Sequence, residues 1–318
     1  MQVMRMNNTE ENVTFEKALN EFLRHCKIKN LSEHTLIYYK RCAKNFCRFF
    51  EAENFCSDIG EDTYEEYKEF LQGLNEMKDI TINTNLRGIK AILRYFMEKN
   101  YTRYFPIPMM KCDKVIKETY TDREIEVLLK KPDFKNCSFA QLRSWTMENF
   151  FMGTGQRLSA TLNIQLCDIS LEEREIIIRK TKGRRQQIIP ISPYLCKVLS
   201  DYLQYRGSSD PDSFLFCNQF GAQLSRSGAE DSIADYNHAR GVAKTSIHIF
   251  RHTFAKKWIT SGGDIFSLQK MLGHSSLEMV KEYVELWGTD LQKLYDQHNP
   301  LENYKSCQYQ KVLKKKRL

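Results

Sequence analysis

The chain has no C-x-x-C pair, no apolar run long enough to span a bilayer, and no apolar stretch near its first residues. Each absence excludes a class. Ten cysteines are present, but Cys42 and Cys47 are five apart and no second pair stands at zinc-site spacing. A bilayer-crossing helix needs about 20 mostly apolar residues in a row. The segment Met1 to Glu11 is polar and lacks the apolar core of a secretory signal. The expected compartment is the cytoplasm, with the cysteines as reduced thiols and not a disulfide framework. Internal repeats and low-complexity tracts are also missing, and no carboxylate cluster suggests a catalytic metal.

What is present suffices for a folded protein. The 318 residues predict two domains, and 42% hydrophobic residues can fill their cores. The net charge of +8 (48 basic against 40 acidic residues) is a weak pointer to nucleic acid.

Residues 12–104 read as a four-helix domain. Phe15, Leu19, Phe22, Leu23 and Cys26 share one helical face. Ser32 can cap a second helix with Leu36, Ala43, Phe46 and Phe50. Asp62 and Glu65 resemble a capping box before Tyr67, Leu71 and Leu74. Thr81 can start a fourth helix with Leu86, Ile89, Leu93 and Phe96. Basic residues lie between aromatics, as in Tyr38-Tyr39-Lys40-Arg41, which suits a phosphate backbone or an ordinary solvated helix face. Two prolines in Phe105-Pro106-Ile107-Pro108 stop any helix, so residues 101–117 read as a linker.

A second domain is expected over 118–300, followed by a basic tail, 301–318. Asp122 can cap its first helix, through Leu129. The β-rich runs Glu175 to Arg179 and Gln187 to Ile191 flank the polar turn Lys180-Thr181-Lys182-Gly183-Arg184-Arg185, predicting a hairpin with a very basic tip. Most of the remainder reads as helix.

Four segments of this domain concentrate reactive side chains. Thr154-Gly155-Gln156-Arg157 marks a bend, with Arg157 where a helix restarts. Lys182 stands in the hairpin tip. In His248-Ile249-Phe250-Arg251-His252, His248 and Arg251 are three apart and share a helical face. Leu272-Gly273-His274 precedes Tyr283 by nine residues, counted from the histidine. Taken singly, each has a bland reading: a surface ion pair, a solvated turn lysine, a structural histidine, a half-buried tyrosine. The order and spacing of the set change the odds.

That set resembles the tyrosine recombinase (phage integrase) family, whose pattern is an Arg in a T-G-x-R turn, a hairpin Lys, H-x-x-R-H, L-G-H and a Tyr nine residues on. Arg157, Lys182, His248, Arg251, His274 and Tyr283 match it, and the likeness runs over roughly 12–300. The resemblance implies a mainly α fold with a small β-sheet: an N-terminal four-helix core-binding (SAM-like) domain and a mixed α/β catalytic domain. It implies a site-specific DNA recombinase working through a 3′-phosphotyrosine, without cofactor or metal. One departure is Ala160, where the family's turn usually carries a Glu that helps to hold the site; His252 is given a structural role.

The chemistry explains the residue types. Attack on a phosphodiester builds charge on its nonbridging oxygens, which two guanidiniums can clamp bidentately. Arg157 and Arg251 suit that clamp. A phenol with a pKa near ~10 needs a base or a cationic field, and His248 is the candidate base. Lys182 can protonate the leaving 5′ oxygen, and His274 can donate a hydrogen bond to the phosphate. Expected partners are double-stranded recombination sites, sister protomers in a tetramer on synapsed DNA (a monomer when free), and an excisionase or other accessory protein.

The leading role is integrase of a bacterial mobile element. The alternatives are a Xer-type chromosome- or plasmid-dimer resolvase and a DNA-binding protein that has lost catalysis. The sequence starts almost directly with the helical domain, so an arm-binding domain ahead of it is not expected. After Gly288, Leu291, Leu294 and Tyr295 stand at near-helical spacing, and this segment could dock on a neighbouring protomer or fold back on its own domain.

Overall fold

The structure, a computed structural model, describes residues 13–74, 77–112, 117–179, 186–208, 210–273, 276–278 and 280–281. It divides into two compact units, Met1–Val115 and Ile116–Leu318. Helix dominates both, and the described strands form one small sheet in the second. No described helix is long and apolar enough to cross a membrane.

The first unit has four helices. α1 (Phe15–Ile28) is capped by Thr14, whose hydroxyl accepts from Lys17 N, and buries Phe15, Ala18, Phe22, Leu23 and Cys26. α2 (Glu33–Phe46) is capped by Ser32, as expected; Phe50 lies beyond its end but is still buried. α3 (Glu61–Gly73) corrects the capping-box reading. The turn begins at Gly60, whose N–H donates to the Thr63 hydroxyl, and Asp62 sits inside the first turn near the positive helix end. α4 (Asp79–Glu98) starts two residues before Thr81, which accepts through its carbonyl from the Asn85 side chain. A methyl at Gly88 would collide with Cys42, so the glycine lets α4 approach α2. Stacked and edge-on rings fill the core: Phe15 on Phe46 (5.2 Å), Tyr67 on Phe46 (4.8 Å) and Phe96 on Phe15 (5.6 Å).

Residues 101–110 correct the linker reading. The prolines do prevent a helix, but Tyr101, Phe105 and Ile107 are buried in the first core. The backbone groups left without helical partners are satisfied by helix side chains. Tyr64 Oη donates to Pro108 O (2.8 Å), Lys90 Nζ to Ile107 O (2.5 Å), and Asn83 pairs with both backbone groups of Met110.

The second unit is built around α6 (Phe139–Thr154), which packs against α5 (Asp122–Leu129), α8 (Pro193–Arg206), α9 (Arg226–Ala239) and α10 (Ile247–Thr260). α5 is capped by Thr121 and not by Asp122: Thr121 N donates to Glu124 Oε2, and Glu124 N donates back to the Thr121 hydroxyl. After the short α7 (Leu158–Thr161), β1 (Ile169–Ser170), β2 (Glu175–Ile178) and β3 (Gln187–Pro190) form an antiparallel sheet in that order. The register Glu175↔Pro190 through Ile178↔Gln187 is the expected hairpin; its tip, 180–185, lies outside the described residues. β1, only two residues long, was not foreseen. α11 (Ile265–Leu272) packs on α10 through Phe254, Ile259, Leu268 and Leu272.

Candidate active site

The site is assembled where three helices end or begin. α6 stops at Gly155, which has φ +62° and whose N–H donates to Phe151 O. A Cβ there would stand 2.5 Å from Phe254 Cδ1 and 2.8 Å from Leu272 Cδ2. Both the dihedral and the close approach of α10 and α11 therefore call for glycine. Two residues on, Arg157 is the N-cap of α7 in an extended conformation, the predicted restart. On α10, His248 is the second residue and Arg251 the fifth, one turn further on. Arg251 is 5% exposed, whereas His248 reaches the surface.

The C-terminus of α11 gathers these groups. Its last carbonyls have no helical partners and carry the negative end of the helix dipole. Arg251 Nη2 donates to Leu272 O (2.8 Å) and Nη1 to Gly155 O (2.7 Å). Arg157 Nη1 donates to the same Leu272 O at 3.5 Å. Sharing one acceptor keeps the bonding nitrogens of the two guanidiniums within about 6 Å of each other. Gln156, 5% exposed, donates from Nε2 to Met271 O (2.5 Å). Gln187, at the start of β3, donates to Met271 O (3.0 Å) and also to Lys270 O. The helix end, the Gly155 turn and the tip-side end of the hairpin strands are thus tied together. α11 closes at Gly273 (φ +60°), where a Cβ would press on Gln187 Oε1 at 2.8 Å.

Of the six sequence-predicted residues, Arg157, His248 and Arg251 are brought together here. Lys182, His274 and Tyr283 lie outside the described residues, as do the segment after Gly288 and the basic tail. Gln187, at the tip-side end of β3, and the Leu272-Gly273 turn border the same helix end.

The electrostatics suit an acceptor at His248. Burial by the surrounding walls holds its pKa below the usual imidazole value even though one face is exposed. The cations of Arg251, Arg226 and Arg157 push in the same direction, and Glu230 opposes them. Neutral imidazole is therefore the resting form near neutrality. Ala160, the departure in the turn, is a buried residue of α7 that brings no charge.

Sequence reasoning missed Gln156, Gln187, Arg226 and Glu230. The two glutamines act on backbone carbonyls, which leave no trace in a sequence. Arg226 and Glu230 stand four apart on α9 and pair at 3.0 Å, a spacing that reads as an ordinary helix-surface pair.

Comparison with known proteins identifies the family. Residues 118–287 match the model of the phage integrase family. Among curated relatives, the tyrosine recombinase XerC of Bacillus licheniformis is 26% identical, over 89% of this chain and 96% of its own. The XerC of Anoxybacillus flavithermus is 28% identical, over 91% and 99%. Among solved structures, the Tn1549 transposon integrase in complex with a circular intermediate DNA shares the fold with a TM-score of 0.71 at 19% identity, over 86% of this chain and 95% of that one. A lambda integrase dimer bound to a core site has a TM-score of 0.69 at 16% identity, over 87% and 97%. With more than half of its length matched by the family model, the chain belongs to the phage integrase family of tyrosine recombinases.

Proposed function

We propose that this tyrosine-type site-specific recombinase uses Tyr283 as its nucleophile, His248 as the base, Lys182 as the acid, and Arg157 with Arg251 as the phosphate clamp. The observation that carries this reading is the convergence of both guanidiniums on the Leu272 carbonyl, two residues before His274 in the chain, with Arg251 three residues after His248 on α10. The phenolic proton of Tyr283 passes to His248 as its oxygen bonds the phosphorus. The bond from phosphorus to the 5′ oxygen breaks, and Lys182 protonates that oxygen, leaving a free 5′ hydroxyl. His274 donates to a nonbridging oxygen. The two arginines hold the charge that grows on the phosphate, from positions fixed before substrate arrives. Rejoining reverses these steps with an incoming 5′ hydroxyl. The phosphotyrosine keeps the bond energy, so neither nucleotide nor metal enters.

The partner is double-stranded DNA carrying two recombination sites, held by a tetramer of this chain. The solved relatives bound to circular intermediate DNA and to a core site support this partner. For the biological role, integration of a mobile element stands beside Xer-type dimer resolution. The second is favoured by curated relatives named XerC that match almost end to end. A plasmid with two direct copies of the site, selected from random duplex by binding, separates the roles: resolution within it, or insertion into a second plasmid.

The test of mechanism is a nicked suicide substrate cut from that site. The wild-type chain is expected to form a covalent adduct in EDTA and without nucleotide. Tyr283→Phe is expected to bind the DNA almost unchanged and form no adduct. An adduct from Tyr283→Phe would remove the tyrosine from its role, and a requirement for magnesium would point to another reaction class.

A further inference from the structure

The cleft beside His248 is walled by α9 as well as by the turn that carries Arg157. Leu158, Arg226, Glu230, Asp231, Ser246 and His248 line it. The charges that bear on the imidazole come from each neighbouring element: Arg157 from the Gly155 turn, Arg251 from its own helix, and Arg226 and Glu230 from α9. Asp231 lines the same cleft from α9. Three of the four groups that act on His248 are cations. Arg226 Nε lies 3.0 Å from Glu230 Oε1, so the carboxylate is held at the rim by its own helix. On the opposite wall, α7 offers no acid, because Ala160 stands in its first turn.

We propose that Glu230 is a positioning residue for His248, a carboxylate lining the same cleft that faces the imidazolium formed when His248 takes the phenolic proton amid three arginines. The proposal rests on the reading of His248 as the base. Proton transfer turns His248 into a cation at the moment when Arg157 and Arg251 are already committed to the phosphate. A fourth cation in such a cluster is costly unless a negative group faces it. Glu230 also tempers Arg226, which would otherwise add to the repulsion. The role assigned to the carboxylate is exerted through the imidazole.

The test uses the full chain with Glu230→Gln, Glu230→Asp and, as a neighbour control, Asp231→Asn. Proton NMR follows the His248 ring, identified by the signal lost in His248→Asn. In Glu230→Gln its titration midpoint is expected to fall by about half a pH unit or more. Glu230→Asp should restore part of that fall, and Asp231→Asn should move it less. Single-turnover cleavage of the suicide substrate should drop about 3–10-fold on its plateau, with the acidic limb displaced to lower pH by the same interval. The Arg226→Gln background separates a direct action from a mere shielding of Arg226. There Glu230→Gln must still lower the midpoint, and an unchanged midpoint overturns the proposal. An unmoved His248 titration in the Glu230→Gln single variant overturns it as well, whatever the cleavage data show. A displaced titration with an unmoved cleavage profile overturns instead the assignment of His248 as base, and the role of Glu230 in catalysis falls with it. Glu230 is a half-exposed side chain (48%), so unfolding of the variants can be checked against the wild type and is expected to be unaltered.

Discussion

The cores of the two units differ in what they bury. In the first, each helix turns one apolar stripe inward, and among its described residues no charged side chain is buried; only Asn83, Asn85 and Thr102 are polar. In the second, α6 is surrounded, and it buries Arg143, Ser144, Thr146, Glu148, Asn149 and Thr154 beside Trp145, Phe150 and Phe151. Half of these six polar residues are satisfied locally. Thr146, Asn149 and Thr154 each donate back to the carbonyl four residues earlier, at 2.9, 2.8 and 2.7 Å. Such bonds satisfy the side chain without any partner outside the helix. Arg143 reaches out instead, to Cys217 O at 2.8 Å. The first core resists by apolar packing. The second is a polar-laced pillar whose end, at Gly155, holds the candidate site. Damage to the first should cost stability, and damage to the end of the second should cost chemistry.

The sharpest break of that contrast is Phe15→Ala. Phe15 is fully buried and its ring packs on Phe46, Phe50 and Phe96. Loss of a core phenylalanine costs about 3–5 kcal/mol. Calorimetry of the full chain should show the first unit melting earlier, while the Arg251-dependent chemistry at saturating DNA changes little. A loss smaller than about 1 kcal/mol would mean that the aromatic cluster is not the mainstay of that unit.

Arg251→Lys is the converse. The charge is kept, but one ammonium cannot replace two guanidinium nitrogens that donate to Gly155 O and Leu272 O. Cleavage should fall by about 10²–10³-fold, measured in a single turnover at saturating protein. Arg157→Lys should behave alike. A rate near wild type in either variant would take that residue out of the clamp.

How far these features were legible in the sequence follows the same division. The stripe Phe15, Phe22, Leu23 and Cys26 could be read because α1 has one wet face. α6 showed no such face, since neighbours cover it all round, and its burial could not be read from periodicity. Arg157, His248 and Arg251 were legible through motif spacing, and the hairpin through its β-rich arms. The carbonyl ends of α11 that hold the arginines were not, because any residue carries a carbonyl. Caps slipped by one to three positions at Gly60, Lys78 and Thr121, where a neighbouring Asp or Thr offered an equally good candidate. The 101–110 stretch was misread because its prolines announce irregular backbone, and irregular backbone can still be buried when side chains such as Tyr64 and Lys90 satisfy it.

Gly155→Ala joins the two kinds of damage. The new methyl meets Phe254 and Leu272, and the residue must still hold φ +62°. Together these should cost about 2–3 kcal/mol. Cleavage should suffer more than that loss implies, because the Gly155 carbonyl is one of the two anchors of Arg251. Gly221→Ala is the control, with φ +79° but nothing within 4 Å of the added carbon. It should lose about 1 kcal/mol and no chemistry. Equal losses at the two glycines would show that the close approach at Gly155 is unimportant.

The gentlest change, Glu148→Gln, should strengthen the pillar. Glu148 is fully buried and neither carboxylate oxygen has a hydrogen-bond partner. Burial raises its pKa well above the usual carboxylate value, and the charge of Arg240 only partly opposes this. The folded chain therefore keeps this proton at a pH where the unfolded chain, with a pKa near ~4.3, has lost it. Folding then takes up a proton. The stability tied to Glu148 is fully present below the unfolded value and drains away as pH rises towards the folded one, at a slope on the order of 1.4 kcal/mol per pH unit. Glutamine has the shape of the protonated acid and does not titrate. Urea unfolding from pH 4 to pH 8 should show the two proteins nearly equal at the acid end, with Glu148→Gln increasingly the more stable as pH rises. Other carboxylates act equally in both proteins and cancel in the difference. A difference that stays flat across this range would mean that Glu148 is ionised in the fold, with Arg240 as its counter-charge, and a Glu148→Gln variant that grows weaker with pH would mean that the buried carboxylate supports the helix it now burdens.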